Sequence, residues 1–284
     1  MRISIITHMK NIKLTSLLIL LLFANCEKVV DINLPTIEPK LIVDAFFEIN
    51  FNENPISANT TVKLRLSADY FEDEIPAATN AVVFLTNLSN NSIINFTDVN
   101  ESGNYNPINT FIPEDDIEYE LTIIYENETY KGNATKIKGT TINSINQGDD
   151  TLFSGDEIEL EVSFTDNEIQ ENYYLFDFSE NLFVSIEDRF FNGSEYNFSY
   201  YLDSEEVILP STRIVTLSAI SQEYFTYFRI LQNQSGQNAG GPFETVPSSL
   251  LGNMINTTNE DNFPLGYFHI SEIDKVTVDL VKKD

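Results

Sequence analysis

Short runs in which hydrophobic and polar residues alternate recur along the chain. The clearest runs are residues 62–66, 119–123, 158–164 and 276–280. A period of two places apolar side chains on one face of a strand and polar ones on the other, so Glu159, Glu161 and Ser163 are expected to face solvent. Asn, Gly and Asp separate the runs. The pattern therefore predicts a mainly β fold of two consecutive antiparallel β-sandwich units, Ig-like or prealbumin-like.

One segment, residues 221–233, has the periodicity of a helix instead. Its apolar residues recur at positions i, i+3, i+4 and i+7, and Ser221 is suited to cap the N-terminus. The residues with that spacing are Tyr224, Tyr227, Phe228 and Leu231. We therefore predict one short amphipathic helix, packed on a sheet of the second unit.

Residues 1–25 have the features of a secretory signal peptide. Lys10 and Lys13 flank an apolar run over residues 14–23, which as a helix would span about 15 Å, too short for a bilayer core of about 30 Å. Cleavage after residue 25 would leave Cys26, the only cysteine, at the new N-terminus. This arrangement resembles the lipobox of bacterial lipoproteins, so Cys26 is expected to carry a lipid. The alternative is a buried free cysteine in an ordinary secreted protein.

The rest of the chain is predicted to consist of a tether and two domains. Residues 26–39 contain two prolines and little periodicity, as expected for a tether. A polar break over residues 139–149 then separates an N-terminal β-sandwich domain, residues 40–140, from a β-rich C-terminal domain, residues 141–284, which contains the helix.

The composition excludes several classes of function. Forty-four acidic residues against 16 Lys and Arg give a formal net charge of −28. Such a surface repels phosphate groups, which excludes nucleic-acid binding, and it provides no polybasic patch for a membrane surface. With one Cys and two His, a multi-histidine zinc site and an internal disulfide are also excluded. We expect no metal and no cofactor.

The sequence contains no Gly-x-Ser-x-Gly elbow, no glycine-rich phosphate loop and no His-Glu-x-x-His motif. His269 lies in a predicted strand, and we interpret it as a residue on the solvent face rather than a general base. Acidic pairs such as Glu205 and Glu206 leave a glycoside hydrolase as an alternative, since two carboxyl groups can flank a glycosidic bond. In so acidic a chain these pairs also arise by chance, so we predict that the protein is not an enzyme.

Two further segments have functional interpretations. Eleven aromatic residues fall within residues 173–201; they suit the core of paired strands, and a platform for stacking sugar rings is the alternative. Residues 235–265 are predicted to be an irregular loop that contacts a partner, because apolar residues interrupt an otherwise polar stretch. The alternative is that this loop covers the open end of the second sandwich. The residues predicted to contact the partner are Phe243, Val246, Leu250, Leu251 and Met254.

Several short motifs follow one another in order along the chain. They are C-E-K-V-V-D-I-N-L-P from Cys26, K-L-I-V from Lys40, G-N-Y from Gly103, E-D-R-F-F-N-G from Glu187 and L-G-Y-F from Leu265. Together they resemble the Bacteroidota lipoproteins catalogued as domain of unknown function 4249. The resemblance implies an accessory lipoprotein encoded beside a TonB-dependent outer-membrane receptor, and it implies no established activity.

We therefore expect a non-catalytic lipoprotein of the outer membrane or cell surface, which assists a TonB-dependent receptor in nutrient capture. A structural or adhesive surface lipoprotein and a surface glycan hydrolase are the alternatives.

Overall fold

Sixteen strands and one helix form the part of the chain that the structure describes. The structure is a computed structural model, and it describes residues 38–68, 72, 74–152, 155–168, 171–204, 207–235 and 250–282. The helix, α1, is Gln222–Gln234. The strands are β1 Leu41–Asn50, β2 Ser57–Asn59, β3 Val62–Leu66, β4 Val82–Asn87, β5 Ile93–Thr97, β6 Asn104–Pro107, β7 Glu118–Tyr125, β8 Glu128–Thr135, β9 Ile142–Gln147, β10 Ile158–Thr165, β11 Tyr173–Asp177, β12 Phe183–Glu187, β13 Glu195–Leu202, β14 Ser211–Ile220, β15 Ile255–Asn256 and β16 Leu265–Leu280. The predicted mainly β fold is confirmed.

The strands form one large and one small sheet. The large sheet has the order β12-β11-β14-β16-β1-β3-β6-β5-β4-β7-β8-β15, with β2 paired to β1 at the side. The small sheet has the order β13-β10-β9. The four alternating runs of the sequence lie within β3, β7, β10 and β16, so the local pattern located these strands correctly.

The first and last strands pair in parallel, which the antiparallel prediction did not include. The register between β1 and β16 runs from Ile42 opposite Leu265 to Asn50 opposite Ile273. The second half of β16 pairs with β14 in antiparallel orientation. Parallel strands need a long crossover connection, and here most of the chain lies between the two strands. A local pattern cannot reveal such a pairing.

The buried side chains form two main clusters that share β16. The first core cluster is built from β1 to β8 together with Phe268 and Ile270 of β16. The second core cluster is built from β9 to β14 together with Val278 and Leu280 of β16. Pro39–Asp284 make up one compact unit. The division into domains at residues 40–140 and 141–284 stays a prediction.

Acidic side chains of β16 hold the connection between β8 and β9. Glu272 Oε2 accepts a hydrogen bond from the Gly139 N–H at 3.0 Å, and Asp274 Oδ2 accepts one from the Ile142 N–H at 2.8 Å. The Glu272 N–H also donates to the Ile137 carbonyl at 2.9 Å. The chain therefore passes from the first core cluster to the second while bound to the strand that both clusters share.

Two residues of β10 that were predicted to face solvent are buried. Glu159 Oε1 accepts a hydrogen bond from Ser199 Oγ at 2.5 Å, and Glu159 Oε2 accepts one from the Asp150 N–H at 2.8 Å. Ser163 Oγ donates to Glu195 Oε1 at 2.6 Å. The prediction was wrong here because the neighbouring strand β13 and the Asp150 backbone supply polar partners, which makes polar burial acceptable.

The predicted helix is confirmed, but its buried face is rotated. Ser221 Oγ accepts a hydrogen bond from the Tyr224 N–H at 3.1 Å, as expected of an N-cap. The buried residues are Phe225, Phe228 and Gln232, whereas Leu231 is exposed. Aromatic contacts explain the rotation: the ring of Phe225 lies 5.0 Å from that of Tyr173, and the ring of Phe228 lies 5.2 Å from that of Phe183.

The start of β16 allows a direct test of the close approach between β1 and β16. Gly266 has φ +94°, and an added Cβ would lie 1.9 Å from the Val43 carbonyl oxygen. We expect Gly266→Ala to lower the free energy of unfolding by about 3 kcal/mol or more, because left-handed strain adds to a clash with main chain.

Gly155→Ala is the matched control for urea unfolding. Gly155 also has a positive φ, +83°, but nothing lies within 4 Å of the added Cβ. Only the conformational strain remains, about 1 kcal/mol. Equal losses of stability in the two variants would contradict the proposed clash.

Candidate functional site

The described part of the predicted contact loop lies on β8 and β16. We call residues 250–264 the return segment. Its short strand β15 places Ile255 opposite Lys131 of β8. Asn253 Oδ1 accepts a hydrogen bond from the Phe268 N–H at 2.8 Å, and Asn253 Nδ2 donates to the Phe268 carbonyl at 2.7 Å. One side chain thus pairs with the main chain of β16 as a neighbouring strand would.

A single carboxylate of β8 fixes the remainder of the return segment. Glu128 Oε2 accepts hydrogen bonds from Asn256 Nδ2 at 2.9 Å and from Asn262 Nδ2 at 2.5 Å, and Glu128 Oε1 accepts one from Asn259 Nδ2 at 3.2 Å. The Tyr130 hydroxyl donates to Oε2 at 2.7 Å. The Tyr130 hydrogen bond, together with these amides, holds the pKa of Glu128 below its usual range. The carboxylate therefore stays charged and keeps the segment in place.

The residues predicted to contact a partner have three different outcomes. Phe243 and Val246 lie outside the described residues. Met254 is 5% exposed and belongs to the first core cluster, where it packs against Gly132. Leu250 is half-buried, and Leu251 is 59% exposed. The return segment thus covers the first core cluster at Met254, rather than the second sandwich named in the alternative.

Ile255 adds an exposed apolar side chain that sequence reasoning missed. It is 63% exposed, whereas its neighbour Asn256 is buried. An apolar residue is thus exposed next to a buried amide, because the Asn256 side chain donates a hydrogen bond to Glu128. Leu250, Leu251 and Ile255 together are called the return-segment surface below. Lys131, which lies opposite Ile255 on β8, is paired with Glu120 at 2.7 Å.

His269 is buried, so the prediction that it lies on the solvent face is wrong. Its side chain is 3% exposed. The imidazole stacks on Tyr224 with ring centroids 4.8 Å apart and lies 5.2 Å from Phe46. Helix α1 covers this face of β16, which the alternation of the strand alone could not show. Burial lowers the pKa of His269 to about 4, although an interaction with the Ala219 backbone opposes the shift. Its surroundings are those of a core residue.

The aromatic residues of 173–201 mostly build the second core cluster. Tyr174, Phe176 and Phe178 are fully buried. The ring of Phe178 stacks on that of Tyr200 at 4.1 Å, and the ring of Phe191 stacks on that of Tyr196 at the same distance. These contacts use ring faces that a sugar platform would have to leave open, which favours the core interpretation.

Among the acidic residues that the structure describes, Asp115 serves a structural contact. Glu205 and Glu206 lie outside the described residues. Asp115 pairs with Lys136 at 2.5 Å and with Lys138 at 3.3 Å, and the hydrogen bond from Lys136 lowers the pKa of Asp115. Within the described ranges, no group of three or more His, Cys, Asp or Glu is arranged to hold a metal ion.

A pair of buried carboxylates joins two loops of the second half. Asp166 accepts hydrogen bonds from the Tyr174 hydroxyl at 2.5 Å and from the Gly193 N–H at 2.7 Å. Asp188 accepts one from the Asn172 N–H at 2.8 Å. Burial raises the pKa of Asp188. The partners are groups of the chain itself, so the pair fixes the turns after β10 and β12.

These features define a mainly β protein in which one strand serves two cores and a return segment is fixed against that strand. The chain belongs to the family described as domain of unknown function DUF4249, which matches residues 27–277. No curated protein sequence matches it. In the part of the chain that the structure describes, no helix combines the length and apolar character needed to cross a bilayer. Cys26 and the predicted signal peptide, residues 1–25, lie outside the described residues.

Two solved structures show distant similarity. A DUF4785 family protein from Legionella pneumophila is 9% identical, with 63% of this chain and 51% of that chain covered and a TM-score of 0.21. The chicken interferon gamma receptor alpha chain is 15% identical, with 64% and 88% covered and a TM-score of 0.19. The match thus spans about half the length of the Legionella protein. At these TM-scores neither structure informs the fold or the function.

Neighbouring apolar residues of the return segment should differ sharply in their effect on stability. We expect Met254→Ala to lower the free energy of unfolding by about 2–5 kcal/mol, because it leaves a cavity in the first core cluster. Leu251→Ala should change it by less than about 0.5 kcal/mol, because Leu251 is exposed. Urea unfolding of the two variants measures both values. A large loss for Leu251→Ala would place this side chain in the core instead.

Burial of His269 predicts a pH-dependent stability. Its pKa is about 4 in the folded chain and about 6.5 in an unfolded one, so between these values the unfolded state binds more protons. The unfolding free energy should therefore fall by about 3 kcal/mol as the pH is lowered from about 7 to about 4. His269→Phe lacks this contribution, and the difference between the two pH profiles isolates it from the carboxylates. Parallel profiles would show that His269 titrates normally.

Proposed function

We propose that this protein is a lipid-anchored outer-membrane protein that assists a TonB-dependent receptor and does not itself catalyse a reaction. The N-terminal sequence supports the anchor, since a short apolar run with a positive flank ends just before the only cysteine, Cys26. The ordered motifs from Cys26 onward support the accessory role through the resemblance described above.

The return-segment surface is the contact that we assign to the receptor. The observation that carries this assignment is the exposure of Leu251 and Ile255 on a segment that is otherwise fixed by hydrogen bonds. Exposed apolar side chains on a rigid support lose little conformational freedom on binding, which favours affinity. Because the Lys131 charge is paired with Glu120, the apolar side chains of Leu251 and Ile255 fit an apolar receptor patch.

The anchor is tested by membrane fractionation. Multiple acyl chains on the N-terminal cysteine would hold the protein firmly at the membrane, whereas a protein without them dissociates. We expect Cys26→Ser to move the protein from the membrane fraction to the soluble fraction. Unchanged membrane retention of the variant, with an unmodified N-terminal mass in the wild type, would contradict lipidation.

The receptor contact is tested by co-purification from solubilised outer membranes. Leu251→Glu and Ile255→Glu place a charge on the return-segment surface and should abolish co-purification of the TonB-dependent receptor. Ile214→Glu is the matched control, because Ile214 is similarly exposed but lies on β14. All three variants should keep the wild-type melting temperature. Co-purification that survives both return-segment changes would reject this contact surface.

A further inference from the structure

A groove lies beside β5 in the first half of the molecule, where the edge of β5 that faces away from β4 is unpaired. β5 is paired with β4 from Ile93 to Phe96, but it pairs with β6 only at Phe96 and Thr97. One further hydrogen bond joins the Ile108 N–H to the Asn95 carbonyl at 2.9 Å. Beyond Ile108 the chain diverges from β5 and leaves a cavity of about 220 Å³.

The register shows which backbone groups face this groove. The Asn87 N–H donates to the Ser92 carbonyl across the β4–β5 pair. Hydrogen-bonded and non-hydrogen-bonded positions alternate in an antiparallel pair, so Ile94 directs its N–H and C=O toward β4. Ile93 and Asn95 direct theirs to the other side. The Asn95 carbonyl already accepts the hydrogen bond from the Ile108 N–H. The N–H and C=O of Ile93 therefore remain as the strand-edge groups that face the groove.

The lining of the groove contains no charged side chain. Ile93, Ile94, Ile108 and Phe111 line it together with three neutral polar residues. Ile108 is 62% exposed, and Ile93 is also more than half exposed. In a chain with 44 acidic residues, a lining without a charged side chain selects against charged ligands, since a charge would be desolvated there without a counter-charge. The cavity is also smaller than the pockets of about 300–1,000 Å³ that hold small organic ligands.

We propose that this groove binds an extended, uncharged peptide segment of a partner protein. The segment adds a short strand beside Ile93 and exchanges backbone hydrogen bonds with it, while one apolar side chain enters the cavity between Ile94, Ile108 and Phe111. Strand addition to an open edge, with alternate side chains read by a pocket, is a known mode of peptide recognition. The proposal does not depend on the receptor or on the lipid anchor.

The test uses the purified full chain and a blocked peptide, acetyl-Thr-Val-Thr-Leu-Thr-Val-Thr-amide. Hydrogen exchange followed by NMR should show the Ile93 amide protected by about tenfold or more on binding, because it gains a hydrogen bond. Ile108→Glu should raise the Kd by about tenfold or more, as should a peptide with Glu in place of its Leu.

Val82→Glu is the control, because Val82 is similarly exposed on β4 and does not line the cavity. It should leave the Kd unchanged, and both variants should melt like the wild type. An unprotected Ile93 amide, or equal effects of Ile108→Glu and Val82→Glu, would overturn the proposal. Concentration-dependent dimerisation that Ile108→Glu abolishes would also overturn it, because a second copy would then be the occupant.

Discussion

The fold depends on the pairing of the first strand with the last. In its first half β16 lies parallel to β1, and in its second half it lies antiparallel to β14. Phe268 points into the first core cluster, and ten residues later Val278 points into the second. A strand that buries side chains in both clusters couples their stabilities, because its removal would expose apolar surface in each.

The polar residues of β16 extend this coupling to the connections. Glu272 and Asp274 bind the chain between β8 and β9 where it passes from one cluster to the other. Near the start of β16, Phe268 receives the side chain of Asn253, which holds the return segment. The surface assigned to the receptor is therefore supported by the same strand that joins the cores.

Local features of the fold were predictable from the sequence, and long-range ones were not. Alternation identified β3, β7, β10 and β16, and Ser221 marked the start of α1, because these signals act within a few residues. Glu159 is buried beside polar groups of β13 and His269 is buried under α1, although the pattern assigns both residues to solvent. The exposure of Ile255 depends on Glu128, which lies far away along the chain and draws Asn256 inward.

Native-state hydrogen exchange along β16 tests the coupling of the two cores most directly. If the strand unites them, the amides of the β1–β16 and β14–β16 ladders exchange only through global unfolding, with the same free energy and the same dependence on denaturant. The result that would contradict the account is exchange of the β14–β16 amides at a distinctly lower free energy while the β1–β16 amides remain protected. The second half would then unfold on its own, and β16 would not unite the two cores.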